Sequence, residues 1–354
     1  MERIKYILLA LLLVVASNDV AGETAADEPV DTKSLIFEHI EDSYWWHLTT
    51  INERHISLYL PVIVYSKAKG LNIFMSSRLE NGGNYNGFHL SGEGKIVEEN
   101  PQGEEVRPID LSLTKTALAL IINSLLMIVI FLSVARWYGR HPRHSPPGGL
   151  VGAIEMFVMS VEDDIIRKSI PGDDYARYSP YLLTAFFFIF INNIMGMIPF
   201  FPGGANVTGN ISITVVLAVC TMLATNLFGN KEYWKEIFWP EVPLWIKVPV
   251  PLMPLIELFG VISKPFALAI RLFANITAGH AIILALTCMI FTTVKMGVGM
   301  NAGMTVFAIL LSVFMSFLEI LVAYIQAYVF TLLSAVFIGL SRQTHHATPL
   351  QDSK

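Results

Sequence analysis

Five ionisable side chains stand inside two long apolar runs: Glu257, Lys264, Arg271 and His280 in 256–294, and Glu319 in 303–340. A charge near the bilayer midplane costs ~2.5–3.5 kcal/mol on insertion scales, so such residues mark ion or proton pathways by default. Arginine, with a pKa of roughly 12 or more, cannot hand a proton on, but it can hold a carboxylate. Histidine titrates near neutral pH, and beside a carboxylate it can relay protons. Glu257 and Lys264 lie towards the start of their run, where snorkelling or capping explains them as well as function does. Arg271, His280 and Glu319 lie deeper. The chemistry these types suggest is proton movement beside a fixed cation.

Spacing refines that reading. If the two runs form antiparallel helices about the glycine-bearing turn 295–302, residues at equal depth have residue numbers with a constant sum. His280 and Glu319 add to 599, and Arg271 and Gln326 add to 597. The first pair should therefore share one level nearer the turn, and the second a deeper one. Arg271 and Asn275, four apart, share a helix face, as do Glu319 and Gln326, seven apart. His280 is nine residues from Arg271, about half a turn round the axis. No HExxH or GxSxG motif occurs, and His280 is the one histidine in a spanning run, which argues against an intramembrane hydrolase. A proton-coupled secondary transporter is the alternative, but it would usually show an internal repeat, and none is evident. Cys220 and Cys288 stand far apart in apolar runs, and no metal-ligand spacing is present.

The elements that must position these residues are membrane helices. The 354 residues are 53% hydrophobic and 15% charged, where a soluble domain carries about 25% charged. Residues 178–230 contain no Asp, Glu, Lys or Arg. The formal net charge of −5 argues against nucleic acid as a partner. Five spans follow: 116–135, 181–198, 211–227 and the two long runs, the last two too long to stand upright in a core of ~30 Å. Those two must tilt or kink, with Pro265 the obvious kink site. Residues 150–168 read as an interfacial amphipathic helix, and proline-rich 239–254 as a connector. Arg136, Arg140 and Arg143 place the end of the first span in the cytoplasm.

Before the first span, 1–22 reads as a signal peptide: basic Arg3 and Lys5, a twelve-residue apolar stretch at 6–17, then Val20-Ala21-Gly22. Residues 23–115 form a small, polar, extracytoplasmic β-rich domain. It should have a short helix around 35–46, strands at 56–65 and 71–75, a turn at 81–86, and a strand pair within 87–97. His39, His47, His55 and His89 read as surface histidines. The fold class is thus an all-α polytopic membrane protein of five helices with a β-rich N-terminal domain, a membrane domain at 116–341 and a cytoplasmic tail at 342–354.

The run Ser263-Lys264-Pro265-Phe266-Ala267-Leu268-Ala269-Ile270-Arg271-Leu272-Phe273-Ala274-Asn275-Ile276-Thr277-Ala278-Gly279-His280 closely resembles subunit a of F-type ATP synthases. So does Glu319 followed by Gln326-Ala327-Tyr328-Val329-Phe330. Weaker likeness lies at Asn192-Asn193-Ile194-Met195-Gly196-Met197-Ile198-Pro199 and at Asn210-Ile211-Ser212. The resemblance covers 116–341. It implies a non-catalytic, proton-translocating subunit without cofactor or metal, in a bacterial inner (plasma) membrane. The implied partners are the rotating c-ring, subunit b of the peripheral stalk, protons and lipid. It implies that Arg271 is the essential arginine facing the ring, and that Asn275 and Gln326 are polar residues around it. His280 and Glu319 are then the pair of the outer half-channel, exchanged in order relative to many bacterial members. Glu257 would be a carboxylate towards the cytoplasmic half-channel, and Asn210 an accessory residue. The resemblance says little about 23–115.

Overall fold

The computed structural model describes residues 42–238 and 252–342, apart from 52–53, 68, 93, 100–104, 143–144, 171, 199–200 and 295–296. The signal segment 1–22, the start of the expected helix at 35–46, most of the connector 239–254 and the tail beyond 342 lie outside the described residues.

The N-terminal region is built of short antiparallel strands. β1 (Trp45–Ile51) pairs with β2 (Arg54–Tyr59); β3 (Pro61–Ser66) lies between β4 (Gly70–Met75) and β8 (Ile109–Asp110); β6 (Ile96–Glu99) lies between β5 (Phe88–Leu90) and β7 (Glu105–Val106). Trp45 and Trp46, expected at the end of a helix, open strand β1 instead. The apolar run expected as one strand over 56–65 breaks at Leu60, because Pro61 lacks the N–H that would continue a ladder. The expected pair within 87–97 forms as β5 and β6, with Leu90 opposite Ile96. The turn expected at 81–86 falls partly in a 3-10 helix, Ser76–Gly82. Alternation puts Val62, Val64 and Phe74 into a core with Tyr44, Leu79, Phe88 and Ile96.

The rest is helical. α1 (Lys115–Arg140) starts at Thr114, whose hydroxyl accepts the Ala117 N–H at 3.3 Å. α2 (Gly149–Val161) runs through a π turn, Glu162–Ile166, into Arg167–Ser169. Val161, Ile165 and Ile166 are buried while Leu150, Met156 and Met159 are exposed. α3 (Tyr175–Met197) begins earlier than expected, since Arg177 and Pro180 lower the hydropathy of turns that are nonetheless helical. α4 (Ile211–Leu227) and α5 (Lys231–Phe238) follow, then α6 (Leu252–Thr293) and α7 (Val298–Arg342). Among the described residues four helices are long and apolar enough to cross a membrane, and α4 is a shorter apolar fifth.

α6 and α7 have 42 and 45 residues, roughly 63 and 68 Å at 1.5 Å per residue, twice a bilayer core. α6 continues as helix through Pro265. Leu268, Leu272 and Ile276, a four-residue ridge, belong to one core with Leu182, Phe186 and Ile189 of α3 and Ala327, Phe330 and Ile338 of α7, the helix that packs against both α3 and α6. At the end away from the β region, Arg342 reaches Asp174 at 2.6 Å and the Asn230 side chain at 2.9 Å, tying α7 to α3 and to the α4–α5 junction.

Candidate functional site

α6 ends at Thr293 and α7 resumes at Val298, inside the stretch expected as turn, and Gly297 stands at φ +103°. Contacts along the two helices show their antiparallel register. Thr293 donates to Asn301 at 3.0 Å, Asn275 donates to Gln326 at 2.8 Å, and Lys264 lies 5.8 Å from the Phe337 ring. His280 and Glu319, expected at one level, are directly hydrogen-bonded through Nδ1 and Oε1.

That pair is enclosed. Glu319 is 7% exposed, and the His280 side chain is largely covered. Gly279 makes the approach possible: a Cβ there would lie 3.2 Å from Glu319 Oε1, tighter than nearly all such contacts. Seven residues along α7, on the same face, Gln326 is also buried and accepts from Asn275. A carboxylate, an imidazole and two amides therefore line the α6–α7 seam. This is an arrangement able to pass protons or order water.

Arg271 is placed differently from the expectation. Gln326 is level with Asn275, not with Arg271; 275 and 326 add to 601, and by that sum Arg271 is level with Phe330. The register is not constant along the seam: 280 and 319 add to 599, and 275 and 326 add to 601. Among the described residues Arg271 makes no hydrogen bond or ion pair, and it is exposed on the helical surface. Ala267, Ala274 and Ala278, at −4, +3 and +7 from it, are exposed too. They form a smooth strip on the same face, where another helix backbone could come close.

The accessory candidates stand apart from this seam. Asn210 caps α4, its side chain accepting from the Ser212 N–H at 3.0 Å. Glu257 sits near the far end of α6, where it faces Tyr233. The Tyr233 phenol titrates above its usual range, first because of burial and second because of the Glu257 charge. Tyr233 also donates to Asn226 at 3.0 Å. His89 approaches Glu105 at 3.5 Å, and among the described residues no three His, Cys, Asp or Glu side chains converge on one point.

Sequence reasoning missed a buried polar ladder on the other side of the seam. Asn123 of α1 donates to Asn192 of α3 at 2.9 Å, Thr208 donates to Asn193 at 2.5 Å, and Asn193 donates to the Ala323 carbonyl of α7 at 3.4 Å. The available signal was the Asn192-Asn193 pair inside a charge-free apolar stretch. Buried amides must find partners, so such a pair implies polar neighbours.

The profile of the ATP synthase A chain family matches residues 118–339, and that of a domain of unknown function (DUF8433) matches 35–112. ATP synthase subunit a 2 of Prosthecochloris aestuarii is 36% identical over 258 residues, 70% of this chain and 75% of that relative. ATP synthase subunit a of Chlorobium phaeobacteroides is 36% identical over 268 residues, 72% and 74% of the two chains. That of Chloroherpeton thalassium is 36% identical over 242 residues, 67% and 68% of the two.

Proposed function

The chain belongs to the ATP synthase A chain family, a multi-pass proton-translocating subunit of the membrane sector, and we propose that Arg271 and the His280–Glu319 pair carry its proton transfer. The observation that carries this is the separation of roles on α6. One cation without a partner among the described residues faces outward between alanines, while the titratable pair is buried on the opposite side of the helix.

An arginine on a lipid-facing surface calls for a mobile partner, because leaving it unpaired is costly. That partner is the ring of c subunits, each with one membrane-buried carboxylate. A carboxyl arriving through lipid must be neutral. Beside Arg271 its pKa falls, it ionises, and its proton leaves by one aqueous path. Re-protonation from the other path makes it neutral again and lets it move on. Arg271 cannot carry the proton across itself, so it separates the two paths. A membrane potential contributes about 2.3 kcal/mol per charge per 100 mV and biases the direction.

In this reading His280 and Glu319 belong to the outer path, Asn275 and Gln326 line the approach to Arg271, and Glu257 lies towards the inner path. The subunit is non-catalytic, sits in a bacterial inner membrane and meets subunit b of the peripheral stalk. Once 1–22 is removed, 23–115 stands on the outer side; the membrane domain is 116–341, and 342–354 is cytoplasmic.

The test is Arg271→Lys in the assembled complex. Lysine keeps the charge but lacks the planar fork and loses its proton readily when buried. ATP-driven proton pumping should be abolished while the complex still assembles. Near-normal pumping would sink the assignment.

A further inference from the structure

The β region is fastened to the membrane domain at two places. Asp42 accepts the Thr116 N–H at 3.0 Å, and Ser43 accepts the Lys115 N–H at 2.8 Å, which fixes β1 to the first turn of α1. Trp46, 4% exposed, packs on Ala119 of α1 and on Ala205 and Val207 of the α3–α4 connection. Its ring also meets Phe201 edge-on at 5.2 Å. An indole is the largest apolar anchor available, and here it is spent on a connection rather than on the β core.

That connection comes close to the proton pair. Thr208 donates to Asn193, and Asn193 reaches the Ala323 carbonyl, one turn of α7 beyond Glu319. On the other side, a Cβ at Gly196 would lie 3.4 Å from the Ala205 carbonyl oxygen and 3.7 Å from His280 Nε2, so the connection and the imidazole flank one glycine. Gly209 N–H bonded to the Asn206 side chain, and Gly204 N–H bonded to the Met195 carbonyl, hold the connection's shape. The connection has no helix or strand of its own over 201–210. Its position therefore depends on what packs against it.

We propose that the N-terminal β region braces the proton mouth. Trp46 is a positioning residue that holds the α3–α4 connection against Asn193 and His280, and so sets the surroundings in which the His280–Glu319 pair exchanges protons with the outside. This rests on the assignment of that pair to the outer path. The electrostatic setting makes the brace consequential. Glu319 faces His280 from α7, Arg271 lies nine residues back on α6, and Tyr324 lies five residues on along α7. α3 from Tyr178 onward and the connection contain no Asp, Glu, Lys, Arg or His at all, and Asp42 and Lys115 sit at the β junction. With no other charge from those elements, backbone and amide dipoles of the connection dominate what the pair meets on that side.

The test uses the assembled complex in membrane vesicles, with proton transport measured as a function of pH on each side separately. Trp46→Ala should lower transport roughly 2- to 30-fold and move the outer-side pH midpoint by roughly half a unit or more, leaving the inner-side midpoint unchanged. A purely structural loss of complexes would scale both profiles without moving either midpoint. Trp46→Phe, which keeps an aromatic on Ala205 and Val207, should restore the wild-type profile. Thr208→Val cuts the strut without touching the β region and should move the same midpoint, so it decides the matter if Trp46→Ala does not assemble. The brace is overturned if assembled Trp46→Ala or assembled Thr208→Val leaves the outer midpoint where the wild type has it. His280→Ala and Glu319→Gln are the parallel arms. If they too leave the outer profile unaltered, the outer-path assignment has failed rather than the brace alone.

Discussion

The bond between His280 and Glu319 yields a prediction with a definite size. Glu319 is 7% exposed, and its Oε1 is bound to His280 Nδ1. Removing either side chain leaves the other without its partner at a buried place, and a hydrogen bond to a charged group is worth about 1.5–3 kcal/mol. At 1.4 kcal/mol per decade that is about 10- to 150-fold. If proton passage needs the intact pair, His280→Ala and Glu319→Gln should each slow ATP-driven pumping within that range. Once one partner is gone the bond no longer exists, so the second replacement should cost little more. The double variant should therefore be close to the worse single variant, with a coupling nearly as large as one single loss. The assay is dye-monitored acidification of inverted vesicles, normalised to assembled complex. The reasoning is refuted if the double variant's loss equals the product of the two single losses within about 2-fold, the tolerance expected for independent sites.

Gly279→Ala would set a Cβ 3.2 Å from the Glu319 carboxylate. Overpacking of that kind costs about 1–3 kcal/mol, so pumping should fall by ~5-fold or more, whereas Gly139→Ala, which meets nothing within 4 Å, should leave the rate as it is. In the β region the Tyr44 phenol is raised far above its ordinary value of 10.0, first by burial and then by its hydrogen bond to Asp110. A raised folded pKa gives stability that is complete below about pH 10 and lost as pH climbs above it. Tyrosinate absorbance of the full chain in detergent should show one phenol that ionises only when the β region unfolds, and Tyr44→Phe should remove that component.

Much of the membrane domain was legible because hydropathy and period are local properties. The charge-free stretch from Tyr178 to Asn230 can only be a hairpin of apolar helices, and the runs around Arg271 and Glu319 are too long for anything but long helices. Even the meeting of His280 with Glu319 followed from counting outward from a turn, since two antiparallel helices of fixed rise leave one free parameter. The count fell short further from the turn. The summed numbers of facing residues rise from 594 at Thr293–Asn301 through 599 at His280–Glu319 to 601 at Asn275–Gln326, so Gln326 meets Asn275 rather than Arg271. Glycines and polar residues at 297–303 read as turn, yet helix packing along the α6–α7 seam overrides their weak local preference.

What only the tertiary structure decided is which side of each helix meets a neighbour and which does not. Nothing local to Arg271 says that it would face outward among alanines while His280, on the same helix, is enclosed; that depends on where α3 and α7 lie. Nothing local to Trp46 distinguishes a core tryptophan of a small β region from one seated on a connection more than 150 residues further along. Contacts between distant segments carry no period and no spacing in the sequence. They exist because apolar and hydrogen-bonding surfaces that cannot be satisfied within one element must be satisfied by another.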